Sequence, residues 1–262
     1  MTKDNFTMWS NAGHTLRLTL LVLIGCVAGP ARGAEPGGVR GVATNAVALA
    51  EANLVAARKL FATEPTNSLA AWQLGRACFT WGKALKDPNI QEKIYEEGVA
   101  ACRRSLSLDP TCGPAHYYLG MNVGRVADLK RNLAAFGMVK EVERAFLQAA
   151  KLDENYAYGG PDRNLGLLYW HAPGWPVSVG NKKLARKHLE RAVKLAPDYP
   201  ENRLNLAEAY LDWRELKLMQ QQLDAVIQLW SRAKTNLTGV EWELDWRDWE
   251  SRRDKLVAAK SQ

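Results

Sequence analysis

Two stretches decide the fold: RNLGLLYW at residues 163–170 and NKKLARKHLERAVKLAP at residues 181–197. In the second, Leu184, Ala185, His188, Leu189, Ala192 and Val193 recur at i, i+1, i+4, i+5, i+8 and i+9, the stripe of an amphipathic helix. Pro197 ends it. In the first, Gly166 interrupts an otherwise helical apolar run. A glycine costs about 1 kcal/mol in a helix interior, so its place is best explained by a close neighbour. Between the two lies HAPGWPVSVG, residues 171–180, whose two prolines and two glycines require a loop. The unit is therefore helix, loop, helix.

Working outward, the unit repeats. Leu74-Gly75, Leu119-Gly120, Leu165-Gly166 and Leu206-Ala207 each stand early in a helical pattern, spaced by 45, 46 and 41 residues. A second marker closes the units: Ser107–Pro110, Lys151–Glu154 and Lys194–Pro197, spaced by 44 and 43. Two independent markers of one period indicate a repeat array. Leu-Gly-x-x-Tyr followed by Ala185, Leu189, Ala192 and Pro197 resembles the tetratricopeptide pattern, over roughly residues 66–234. That pattern usually repeats every 34 residues. Here three units are longer, with the extra residues between the paired helices: KALKDPNIQEK, a helical-looking RVADLKRNLAAF, and the 171–180 loop.

Composition agrees with a folded helical chain. The protein has 262 residues, 47% hydrophobic and 24% charged, with ten Trp to fill a core. Its net charge of +7 comes from 35 basic and 28 acidic residues, without a dense basic block that would call for nucleic acid.

The N-terminus reads as an address. Residues 18–29, LTLLVLIGCVAG, follow Arg17 in the layout of a secretory signal, and Met8 is an alternative start. Two processing routes stay open: lipidation of Cys26 in the lipobox-like Leu23–Cys26, or ordinary cleavage near Gly33 or Ala34. Either implies export, to a bacterial periplasm, and the first a membrane-anchored lipoprotein. The division is thus a signal at 1–26, a Gly/Pro/Ala tether at 27–43 and a helical domain at 44–262. Cys78, Cys102 and Cys112 lack a CxxC spacing, and Cys78 and Cys102 read as small core residues on facing helices.

A more specific resemblance rests on Tyr158-Gly159-Gly160-Pro161, Leu165-Gly166, Ala172–Pro176 and Leu195–Pro200. Together these stretches resemble the T-component family of TRAP transporters (TatT-like proteins). The resemblance implies an all-α periplasmic repeat protein, often a lipoprotein. It also implies work beside a solute-binding protein, handling of hydrophobic solutes and, for some members, a trimer with a central channel. Asn181 departs from the acidic residue expected after Gly180.

Candidate binding residues follow from the repeat register. In tetratricopeptide arrays the first helices line the concave face. Side chains flanking the Gly, or Ala207 in the fourth unit, are Trp72, Arg76 and Phe79, then Tyr117, Met121 and Arg125, then Arg163, Leu167 and Trp170, then Leu204, Glu208 and Asp212. Aromatics with interspersed arginines suit an apolar molecule bearing an acidic group, or a peptide tail. The expected site is one cavity touching units two and three, bordered by Pro173, Gly174, Trp175 and Pro176. Trp175 is expected to insert into a neighbouring groove rather than face solvent.

Catalysis finds no residues to stand on. His14, His116, His171 and His188 form no metal-binding spacing, and no nucleophile motif or phosphate loop occurs. His188 lies on an apolar stripe and reads as packing. Glu208 and Asp212 share a helix face and read as solvated. Trp242, Trp246 and Trp249 fall on one face of a final helix, as a terminal cap would.

The sequence thus predicts an all-α, tetratricopeptide-like right-handed superhelix of about four expanded helix pairs, with a leading helix at 44–62 and a C-terminal capping helix. The expected function is binding without an enzyme activity, a cofactor or a metal. Its leading form is a T-component-like protein that binds a solute or a solute-binding protein. The alternative is a generic periplasmic scaffold that assembles envelope proteins.

Overall fold

The computed structural model describes residues 39–130 and 133–260. The signal segment, Cys26 and most of the tether lie outside the described residues. Among the described residues ten α-helices follow one another: α1 (Val39–Thr63), α2 (Ser68–Ala84), α3 (Pro88–Leu108), α4 (Gly113–Lys130), α5 (Leu133–Leu152), α6 (Tyr156–His171), α7 (Lys182–Leu195), α8 (Pro200–Asp212), α9 (Leu216–Asn236) and α10 (Glu243–Lys260). A 3₁₀ turn, Val240–Trp242, precedes α10. The first helix starts at Val39, inside the stretch read as tether.

The expected pairs form as α2/α3, α4/α5, α6/α7 and α8/α9, and the first helices α2 and α4, and α6 and α8, also touch. This is the tetratricopeptide arrangement. The second and third inserts take the forms expected of them, helix and loop. Asp87 caps α3 through the Asn89 N–H, with Pro88 in its first turn, so the first insert lengthens α3. The second extends α4 and α5 toward each other, and the third is the loop after His171.

The repeated glycines sit where helices meet. A Cβ on Gly166 would lie 2.6 Å from Leu189 Cγ of α7, and one on Gly120 would lie 2.8 Å from Phe146 of α5. Gly75 is packed in the same way against Cys102, so this pair of helices closes around a thiol. Cys78 and Cys102 are buried and free. Burial pushes both thiols up, Cys78 to about 12, which leaves them unreactive packing groups.

The start of α6 departs from any repeat expectation. Ala157, Tyr158 and Gly159 have φ of 50°, 61° and 70°, and regular helix begins only after them. Left-handed backbone is uncommon for Ala and Tyr, so the turn must be held from outside. Arg163 Nη1 donates to Ala157 O at 3.2 Å and Tyr158 O at 3.3 Å, and Asn202 Nδ2 donates to Tyr158 O at 2.9 Å.

The tryptophan stripe caps the array as expected. Trp242 and Trp249 are buried and Trp246 half-buried. Trp249 meets Tyr199 edge-on at 5.4 Å, and Trp246 Nε1 donates to Leu237 O. The cap does more than cover α8 and α9, because α10 and the 3₁₀ turn also touch α1. The two ends of the described chain therefore meet.

Candidate protein-binding face

The predicted binding residues do not form one lined cavity. Phe79, Tyr117, Met121 and Arg163 are fully buried, and Leu167 and Leu204 are buried with them. Tyr117 packs on Phe146 at 5.8 Å and receives a hydrogen bond from Asn164. These positions fill helix interfaces, because longer helix pairs pack a larger fraction of each first helix. Trp72, Arg76, Arg125 and Trp170 are half-buried. Trp72 stacks on Tyr118 at 6.0 Å. Trp170 donates to Asp212 Oδ2 at 3.0 Å and stacks on His171 at 4.2 Å.

Two hollows occur elsewhere. One of about 260 Å³ lies between Tyr158, Pro197, Tyr199, Arg232 and Leu237. The other, about 510 Å³, lies between α1, α2 and α3, lined by Arg58, Phe61, Leu74, Glu97, Ala101 and Arg104. None of the predicted residues lines either. The Pro173–Pro176 loop borders neither hollow, and Trp175 is 89% exposed instead of inserted in a groove.

The central feature is one that sequence reasoning missed, a layer of buried charge between α6, α8 and α10. Arg163 Nε lies 3.6 Å from Glu201 Oε2, both side chains fully buried, and Arg163 Nη1 donates to Asn202 Oδ1. Tyr199 donates to Glu201 at 3.2 Å. From α10, Arg252 grips Glu208 by two hydrogen bonds of 2.8 and 2.7 Å and also reaches Asn205. Asp245 pairs with Lys83 of α2 at 3.4 Å. Helix α10 is thus tied by charge to first helices of both the first and the last pair.

Burial sets the electrostatics. It pushes the Glu201 carboxyl up to about 7, with Arg163 and Arg252 opposing the rise. It also raises Asp245 against the pull of Lys83, and it lowers the His171 imidazolium against Glu208 and Asp212. Glu208 and Asp212, read as a solvated pair, are engaged by Arg252 and Trp170. His188, read as packing, also bonds the buried Asp162 through Nδ1 at 2.8 Å. Among the described residues no cluster of three or more His, Cys, Asp or Glu is placed to hold a metal ion. The only local signals of this layer were Glu201 after Pro200, which reads as a dipole-complementing first-turn acid, and Arg252 facing i−4 Asp248.

Residues 48–159, less than half of the chain, match the family model described as Regulator of microtubule dynamics protein 1-3. This corrects the resemblance to the TRAP T-component: the matching model is a different family, and the trimer, the channel and the hydrophobic solutes implied by that resemblance fall with it. A search of curated proteins finds no match to the chain. Among solved structures, a thermophilic TPR protein from Thermus thermophilus is similar at 16% identity and a TM-score of 0.55, covering 84% of this chain and 98% of that one. Pseudomonas aeruginosa pilF is similar at 18% identity and a TM-score of 0.49, covering 72% and 77%. MamA is similar at 16% identity and 0.46, covering 68% and 87%. The first of these likenesses supports the fold: an all-α tetratricopeptide-like superhelix.

Proposed function

We propose that the protein is a protein-binding repeat scaffold whose partner surface is the row of first helices α2, α4 and α6. The observation that carries this reading is the seat of α10. The face of α8 already holds a helix, through Arg252 on Glu208 and Asn205 and through Trp249 beneath it. The same row continues through Trp72, Arg76, Arg125 and Trp170, half-buried side chains of the kind that anchor a peptide or helix of a partner. The arginines favour a partner segment that carries acidic groups.

A photo-crosslinking residue at Arg76 or Arg125 in the full chain, expressed in its native cell, tests this. A discrete protein adduct, lost on Arg76→Glu and absent when the crosslinker stands at Lys194 on the outer face of α7, is the expected result. Adducts of equal yield from both faces would refute the reading. The exported, lipid-anchored address belongs to the same proposal: mass determination of the mature N-terminus should find acylated Cys26, and an unmodified start near Ala34 would replace the anchor with ordinary secretion.

A further inference from the structure

Trp175 stands at the tip of the α6–α7 loop, 89% exposed, with Val177 beside it at 49%. The loop is well tied. Gly180 donates to Pro173 O at 2.8 Å, Val177 to Gly174 O at 3.0 Å, and Asn181 to Tyr169 O at 2.8 Å at its base. An indole held out by an ordered loop gives up the burial energy that usually places Trp in a core.

The α8–α9 turn lies against the base of this loop. Glu215 of that turn pairs with Arg186 and with Lys182 of α7, Lys182 lies over the Trp213 ring at 5.2 Å, and Trp213 meets Trp170 edge-on at 6.3 Å. Leu216 at the start of α9 is 57% exposed. Two apolar tips on separate connections therefore share one end of the molecule. Around them Lys183, Arg214 and Lys217 are exposed, and among the described residues none forms an ion pair. Of the acids nearby, Glu215 is paired by two cations, and Asp212 keeps its charge while accepting from the Trp170 N–H, so the three unpaired cations outnumber it.

We infer that this end of the molecule, centred on Trp175, docks on the surface of an anionic lipid bilayer. A single protein pocket takes one anchor, whereas here two separated apolar tips stand among unpaired cations. An extended surface that is apolar just below a layer of negative charge is complementary to both. Trp is the residue suited to that depth, with an apolar body and one N–H for the wet side. No helix of the described residues is long and apolar enough to cross a membrane, so the contact would be peripheral. The face is distinct from the row of first helices, and the inference does not rest on the protein-binding reading.

Co-sedimentation of the full chain with vesicles tests it. Binding to phosphatidylglycerol-rich vesicles, little binding to phosphatidylcholine vesicles, and release at high salt are expected. Trp175→Ala should weaken binding severalfold, and Lys183→Glu with Lys217→Glu about twenty-five-fold or more, since each surface cation is worth about fivefold from ~1 kcal/mol. Both sets of side chains are exposed, so an unchanged melting curve will accompany the loss. Brominated anionic lipids should quench wild-type fluorescence more than that of Trp175→Ala. Equal binding by all variants would place the membrane contact elsewhere in the chain and overturn the inference. So would no vesicle binding at all, including the case where Trp175 instead proves necessary for a protein adduct.

Discussion

Among the described residues of α2 to α5 the fully buried polar side chains are Ser105 and Asn122. From α6 to α10 the buried ones are Asp162, Arg163, Asn164, Glu201, Asn202, Asn205, Asp245 and Arg252. The same helix-pair repeat is thus closed in two ways. In the first half, small residues let large ones approach: Gly75 meets Cys102, Gly120 meets Phe146, and Tyr117 and Tyr118 pack edge to face. In the second half, buried ions and amides hold a left-handed turn and a terminal helix that must return to the first helices. Apolar packing is non-directional and suffices to stack neighbours. Fixing α10 against both α8 and α2 requires directional contacts, which charge pairs supply.

The sharpest break of this contrast is Arg163→Ala. It leaves Glu201 buried without its cation and frees the left-handed turn, so a loss of about 3–5 kcal/mol is expected. Urea titration will read it. If the stability is unchanged, Glu201 has another compensating partner and the charged layer is not the closure of this half. Adding Glu201→Gln to the variant should recover part of the loss, because the uncompensated charge is removed.

Glu201 also gives the second half a pH dependence. Its carboxyl is raised from the ordinary 4.5 to about 7. A carboxyl with a raised folded value takes up a proton on folding, so its contribution is fully present below about 4.5 and is lost as pH rises to about 7. The slope integrates to roughly 3 kcal/mol at most. Glu201→Gln should flatten the stability profile across that window. A wild-type profile already flat between those values would show that Arg163 and Arg252 keep the carboxylate ionised.

How much of this was legible follows from the same contrast. The α6/α7 stripe, Gly166 and Pro197 are set by local spacing and the closing markers recur at a fixed period, so periodicity in the sequence reports them directly. The tryptophan cap was legible for the same reason. The charged layer was not, because its partners are far apart in sequence: Arg252 with Glu208, Asp245 with Lys83. No local spacing distinguishes a solvated Arg from one that another helix will bury. The burial of half the candidate residues was hidden in a related way. The register placed Phe79, Tyr117, Met121 and Arg163 on first helices, but which side of a first helix remains open depends on helix length and on α10 closing the ends. Trp175 shows the converse: residue type predicts burial, and only the tied loop shows it held outside.

Gly166→Leu tests the close approach that both halves share. Its first added carbon meets Leu189 Cγ at 2.6 Å, so the pair must spread, at a cost of about 1–3 kcal/mol. Gly120→Leu should cost a similar amount through Phe146. The two agreeing within error, by thermal denaturation, would show that the halves differ in polar closure and not in helix spacing. A large cost at Gly120 alone would instead mean that the α6/α7 interface yields by shifting its loop.

The smallest effect is expected where the first half does carry an ion pair. Arg58 of α1 donates to both oxygens of Glu97 on α3, at 2.8 and 2.5 Å. The geometry is bidentate, as good as that of Arg252 on Glu208. Its setting differs, since the Arg58 and Glu97 side chains are 44% and 32% exposed. Water solvates both charges when the pair is broken, and salt screens it when it is made. Arg58→Gln should therefore cost under about 1 kcal/mol, with the difference from wild type shrinking as salt is added. Arg252→Gln should cost several-fold more and respond little to salt, because its side chain is 7% exposed and leaves Glu208 and Asn205 facing one another. Equal losses from the two arginines would dissolve the distinction between an apolar and a charged half, and would place the stability of α10 in Trp249 and its ring contacts alone.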